Sequence, residues 1–252
     1  MRRIGLIVGS LVIASVGAVV LLAVLQFGGS AKPTTLLTVA AERGDASQVR
    51  KLIAAGADVN ERDKSGFTPL IWATRIGDKE VARLLIEGGA DMNERDCAAN
   101  GWTPLIHAIH KNNDEMARLL IESGADVNAK AGDCKQQKVE SGASAILYAA
   151  GYDDTEIVRA LLDKGANPYD EYDSTTVLSN AVAGAWDVDR AMHSKCPTET
   201  VKLLLERAPD LSLKDNLWDR KAMFLVRHKG CTEIVSLLEQ RERTFAAKDM
   251  RK

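Results

Sequence analysis

Little in this chain points to chemistry. No glycine-rich loop follows a strand and opens a helix, which excludes a phosphate cradle of the mononucleotide-binding kind. No basic run and no basic-aromatic alternation occurs, and 33 Lys and Arg against 35 Asp and Glu leave a net charge of −2, so nucleic acid is not an expected partner. The histidines number 4. His107 and His110 lie three apart in a helical pattern, but a third ligand and an adjacent carboxylate are missing, so packing and surface roles are expected of them. No serine, cysteine or lysine has a neighbouring base that the pattern of the chain leaves unexplained. Catalysis is not expected, and no cofactor is implied. There is also no Asn-x-Ser/Thr acceptor for N-glycosylation.

What the chain does contain is self-similarity. Gly56-Ala57-Asp58-Val59-Asn60 returns as Gly89-Ala90-Asp91-Met92-Asn93 and as Gly124-Ala125-Asp126-Val127-Asn128, each time closing an apolar helical stretch. A period near 33 residues marks a solenoid of stacked units. The clearest unit runs from Phe67 to Asp96. Thr68 suits an N-cap and Pro69 the first helical position; Gly77-Asp78 turns the chain, Glu80 to Glu87 forms a second helix, and Gly88 or Gly89 ends it in the left-handed conformation. Asp91 and Asn93 suit the tight turn that follows. Val81, Leu84, Leu85 and Ile86 keep helical spacing and are expected to face the adjoining unit.

The same order recurs from Thr103-Pro104-Leu105 and, more loosely, from Ser144-Ala145-Ile146. These motifs resemble ankyrin repeats, over residues 34–240. The resemblance implies an all-α solenoid of about six helix-turn-helix units with hairpin fingers, of a kind that binds other proteins. Departures fall at the ends, as solvent-facing caps require. The first unit lacks the opening proline, and the last, about Trp218 to Gln240, has Lys221-Ala222-Met223 and no Gly-Ala-Asp close. In the fifth unit Ala185 to Cys196 is inserted between the two helices. A further insertion, Ala131 to Gly142, lengthens a finger, and both insertions are secondary candidate sites.

Met1-Arg2-Arg3 precedes an apolar run from Ile4 to Leu25, with no charge until Lys32. About 20 residues span a bilayer, whereas the apolar core of a cleaved signal takes about 7 to 15. A single transmembrane anchor is therefore expected, with Gly29-Ser30-Ala31 as the alternative, a cleavage site releasing a periplasmic protein. Arg2 and Arg3 would hold the amino end in the cytoplasm and set the solenoid on the far side. The expected divisions are a membrane segment at 1–31, a repeat domain at 32–240 and a charged tail at 241–252.

Four cysteines are too few to define a disulfide framework alone, but Cys97 and Cys134 occupy adjacent fingers, and Cys196 and Cys231 precede the second helices of adjacent units. Bridges Cys97 to Cys134 and Cys196 to Cys231 are expected, which would agree with an oxidising compartment. Two alternatives stand beside them: four ordinary thiols, or a zinc site built from His193, Cys196, His228 and Cys231, two His-x-x-Cys pairs on adjoining units.

In ankyrin-like stacks a partner meets the fingers and the first helices. The corresponding residues are Phe67, Arg75 and Ile76, then Trp102, His110 and Lys111, then Tyr152. Phe67 and Trp102, in the fingers, are the expected aromatic anchors, unless their rings pack across neighbouring fingers. Trp72 and Tyr148, within the first helices, are expected to be partial core. The function expected is a membrane-tethered, periplasm-facing module that binds a partner protein, as an immunity or inhibitor protein. The alternatives are a structural or stress-related envelope scaffold and the metal-binding protein just described.

Overall fold

The computed structural model describes residues 33–96, 100–132, 142–184, 196–213 and 217–249. Among them twelve helices form six consecutive pairs: α1 (Pro33–Glu42) with α2 (Ala46–Ala54), α3 (Pro69–Ile76) with α4 (Lys79–Glu87), α5 (Pro104–His110) with α6 (Asp114–Glu122), α7 (Ala145–Gly151) with α8 (Thr155–Asp163), α9 (Val177–Ala183) with α10 (Thr198–Arg207), and α11 (Leu217–His228) with α12 (Thr232–Asp249). Each first helix packs on the next first helix, α1 on α3 through to α9 on α11, and second helices pack along a parallel row. This is the expected all-α solenoid of helix pairs.

The start signals act as their chemistry dictates. Thr68 and Thr103 accept the amides of Ile71 and Ile106, both at 3.3 Å, with Pro69 and Pro104 at the first helical positions. Thr176 and Ser179 complete a reciprocal capping box at the head of α9. The second helices of the first four units begin on Asp45, Asp78, Asn113 and Asp154, each side chain accepting the amide three residues on. Between the helices of the second unit Gly77 sits at φ 81°, and a Cβ there would lie 2.8 Å from the side-chain nitrogen Nδ2 of Asn113. At the close of α4 the left-handed residue is Gly89, at φ 90°, while Gly88 stays helical at φ −76°.

The Gly-Ala-Asp-x-Asn segment does more than turn the chain. Asp58, Asp91 and Asp126 each accept the amide two residues on, at 2.8 to 2.9 Å. The asparagine then reaches the following unit: Asn60 accepts from the Asp91 amide at 2.7 Å, Asn93 from the Asp126 amide at 2.8 Å, and Asn128 from the Asn167 amide at 2.8 Å. Asn128 also donates to the Gly165 carbonyl at 3.0 Å. The motif that betrays the repeat in sequence is thus the hydrogen-bonded seam between repeats.

Behind the seam lies one continuous apolar core. Leu70, Leu105, Ile146 and Leu178 are buried on the first helices, and Leu85, Leu120, Leu161 and Leu204 on the second. Full burial of such a side chain contributes about 1.5 to 3 kcal/mol, and here it is achieved only against neighbouring units. The fingers are short. The one regular hairpin pairs β1 (Glu171–Tyr172) with β2 (Thr175–Thr176) among the described residues, and Lys130 bridges Ser144 in the finger before it.

In the fifth unit α9 ends at Ala183 and α10 begins at Thr198, where the sequence carries its insertion. Helix α12 continues without a break to Asp249, so the boundary expected at 240 falls inside a helix. Among the described residues no helix is long and apolar enough to cross a membrane. The apolar run 4–25, Cys97, Cys134, His193 and most of both insertions lie outside the described residues.

Candidate functional site

Two aspartates organise the fingers from which the site is built. Asp63 Oδ1 accepts the amides of Ser65 and Phe67, at 2.8 and 3.0 Å, and its Oδ2 accepts the indole N–H of Trp72 at 2.7 Å. One repeat later Asp96, buried, accepts the amides of Asn100, Gly101 and Trp102, each at 3.2 Å, and its Oδ2 lies 2.7 Å from His107 Nε2. The carboxylate satisfies amides that a tight turn leaves unpaired, and fixes the ring that follows. Neither aspartate figured among the expected site residues. The available signal was Glu61-Arg62-Asp63 repeated as Glu94-Arg95-Asp96.

The arginines of those tripeptides tie finger to finger. Arg62 donates to the carbonyls of Gly66 and Arg95 and pairs with Glu94, Arg95 donates to the Lys130 carbonyl at 2.6 Å, and Lys130 pairs with Asp170 at 2.7 Å. The fingers are therefore braced along the stack, a rigid base for side chains set beside them.

On that base a row of rings crosses three units. Phe67 meets Trp72 edge-on with centroids 5.0 Å apart, and His107 lies 6.4 Å beyond Phe67. Trp102 packs against His107 at 5.3 Å, His110 at 4.5 Å and Tyr148 at 5.7 Å, and its N–H donates to the Tyr148 hydroxyl at 3.1 Å. His110 Nδ1 lies 2.8 Å from the Tyr152 hydroxyl. These contacts join residues that the sequence scatters from 67 to 152.

The expected site residues fall into two groups within this row. Phe67 is only 7% exposed, its ring enclosed by Trp72 and His107 and capped by the Arg75 guanidinium 4.5 Å from its centroid, which is the packing alternative for this ring. Arg75 also lies 5.3 Å from the Trp72 ring, close enough for cation–π attraction to both. Trp102, His110 and Tyr152 are half-buried, whereas Ile76, 45% exposed, and Lys111 project into solvent. Trp72 and Tyr148 are half-buried against the core.

Charge perturbation is strongest away from the row. Asp154, the N-cap of α8, has its pKa pushed up to about 6, chiefly by burial and secondarily by the nearby Asp114 carboxylate, against the Ile157 amide and Arg118, which favour the ionised form. No feature of that carboxyl calls for chemistry, because it is committed to capping a helix.

Cys196 and Cys231 form a disulfide, with an S–S distance of 2.06 Å and Cα atoms 5.6 Å apart, linking the heads of α10 and α12. The zinc alternative fails on this bond: a metal is held by thiolate, and two sulfurs bonded to each other offer none. His228 stacks on the Phe224 ring, centroids 5.9 Å apart. Among the described residues no group of three or more His, Cys, Asp or Glu could hold a metal ion.

Residues 37–131 match a family model described as ankyrin repeats (3 copies), and residues 105–162 match a second described as ankyrin repeats (many copies). The two matches together run from 37 to 162, half of the chain. No curated protein matches it.

Proposed function

The chain belongs to the ankyrin-repeat family, whose repeat domains are non-catalytic modules for binding other proteins, and on that premise we propose a membrane-tethered, periplasm-facing receptor for one partner protein. The partner docks across Arg75, Ile76, Trp102, His110, Lys111 and Tyr152. The observation that carries this reading is the row of half-buried rings from Trp102 to Tyr152, contiguous over adjoining units, with exposed Ile76 and Lys111 at the ends of α3 and α5. Rings held by hydrogen bonds and by their neighbours lose little freedom on binding, which is what makes Trp and Tyr effective anchors.

Two independent features support this compartment. The run from Ile4 to Leu25 is long enough to anchor the chain in an inner membrane, and the Cys196–Cys231 bridge suits an oxidising space such as a periplasm. Cleavage after Gly29-Ser30-Ala31 would give the same exposure without the tether. Within this reading the partner is blocked as by an immunity or inhibitor protein, because a braced surface held at the membrane can occlude an active site. The competing reading is an envelope scaffold.

Trp102 and Tyr152 replaced together by alanine should reduce partner capture from a crosslinked envelope fraction at least 30-fold, as expected for about 2 kcal/mol of lost binding. Unchanged capture by a variant that keeps its helical circular dichroism would move the interface elsewhere. Inhibition of the captured partner's activity by the purified chain supports blocking, and unaltered activity supports a scaffold.

A further inference from the structure

The sixth unit carries an exposed apolar face on its first helix. Helix α11 exposes Leu217 at 80%, Phe224 at 64% and Trp218 at 38%. On a helix of about 3.6 residues per turn, these three residues and Lys221 fall within about a third of the circumference. The opposite side, with Asp219, Ala222 and Val226, is the buried one. Arg220 and Arg227 lie along one flank of the apolar ridge and Lys229 along the other. Lys221 stands over the Trp218 ring, 4.8 Å from its centroid, and Arg227 pairs with Glu239 of α12 at 2.9 Å.

We propose that this face of α11 docks on an anionic phospholipid surface, with Leu217, Trp218 and Phe224 entering the headgroup layer and the flanking cations meeting lipid phosphates. A ridge of indole, phenyl and aliphatic groups bordered by long cationic side chains is the composition that settles at a membrane–water interface. Its charge selects acidic lipid, since the one acidic residue of α11, Asp219, is buried while its Arg and Lys residues flank the ridge. A second copy of the chain fits poorly, because two such faces would bring like charges together. If the reading of residues 4–25 as a tether also holds, the chain meets the bilayer at two places.

The full chain, mixed with vesicles of phosphatidylglycerol and phosphatidylcholine bearing brominated acyl chains, should show tryptophan quenching that disappears in Trp218→Phe. The Trp218-dependent part should weaken at least tenfold in pure phosphatidylcholine and in the double variant Arg220→Gln, Lys221→Gln. Two results overturn the proposal: no Trp218-dependent quenching with phosphatidylglycerol, or equal quenching without it. A dimer lost in Phe224→Ser, with no lipid contact, assigns the face to a second copy and overturns it as well. All variants alter exposed side chains, and circular dichroism verifies their fold. Flotation with pure phosphatidylcholine vesicles reads the tether separately: flotation without quenching leaves the tether and removes this inference, and quenching without flotation does the reverse.

Discussion

His110 and Tyr152, separated by 42 positions in sequence, meet across two units with the imidazole Nδ1 2.8 Å from the phenolic hydroxyl. Their rings lie 6.0 Å apart, and the bond pins the outer end of the aromatic row. Tyr152→Phe deletes that bond and keeps the ring, so the loss should be about 0.5 to 1.5 kcal/mol in urea unfolding. The His110 ring nitrogens should shift in an NMR spectrum of the variant. An unmoved imidazole signal would mean that the two side chains do not meet in solution.

Asn93→Ala breaks the seam between the second and third units. It removes the acceptor of the Asp126 amide at an exposed site, so a cost of about 1 kcal/mol is expected. Asn128→Ala should cost more, because that side chain makes two cross-unit bonds, to the Asn167 amide and the Gly165 carbonyl. Denaturant midpoints of the two variants give the comparison, and equal stability to the parent chain would reduce the seam to decoration.

The disulfide should hold the last two units to the stack. Replacing Cys196 and Cys231 together by serine frees a loop with a sequence separation of 35 and should cost about 2 to 4 kcal/mol. Hydrogen exchange should locate the loss in α10 to α12, with the first three units unaffected, as expected where each unit contacts only its neighbours. Uniform loss across all units would show that the stack unfolds as one block.

Asp154 makes a pH prediction with a definite sign. Its folded pKa of about 6 exceeds the unfolded value of about 3.9, so the folded protein holds a proton that the unfolded chain releases across that interval. Its contribution is full below about pH 4 and is lost as the pH rises through about 6. Asp154→Asn retains a capping acceptor and removes the charge. The variant should gain on the order of 1 kcal/mol at pH 7, after allowance for solvent screening of the exposed part of the group, and nothing at pH 4. Thermal melts at both pH values test this, and a gain of equal size at pH 4 would assign it to some cause other than ionisation.

Much of the fold was legible because each repeat announces its own boundaries. Thr68-Pro69 and Thr103-Pro104 act within one turn of themselves, and Gly89 acts on its own backbone angle, so local chemistry sufficed. The Cys196–Cys231 pairing was legible for a related reason: equivalent positions on adjacent repeats come close whatever the details of the loops. The aromatic site was legible only in part. Phe67 and Trp102 hold the same place before Thr-Pro, yet one is enclosed and the other half-open, because Arg75 caps the first ring while Trp102 leans on Tyr148 and His110.

The amino-acid sequence by itself determined the period, the helix starts and stops and the apolar stripes, since these depend on groups a few residues apart. Only the tertiary structure decided that Asn60, Asn93 and Asn128 bond to the next unit, that Asp63 and Asp96 govern the fingers, and that α11 turns Trp218 and Phe224 outward. Each of those outcomes depends on which neighbour arrives at about 3 Å, or fails to arrive, and stacking sets that distance.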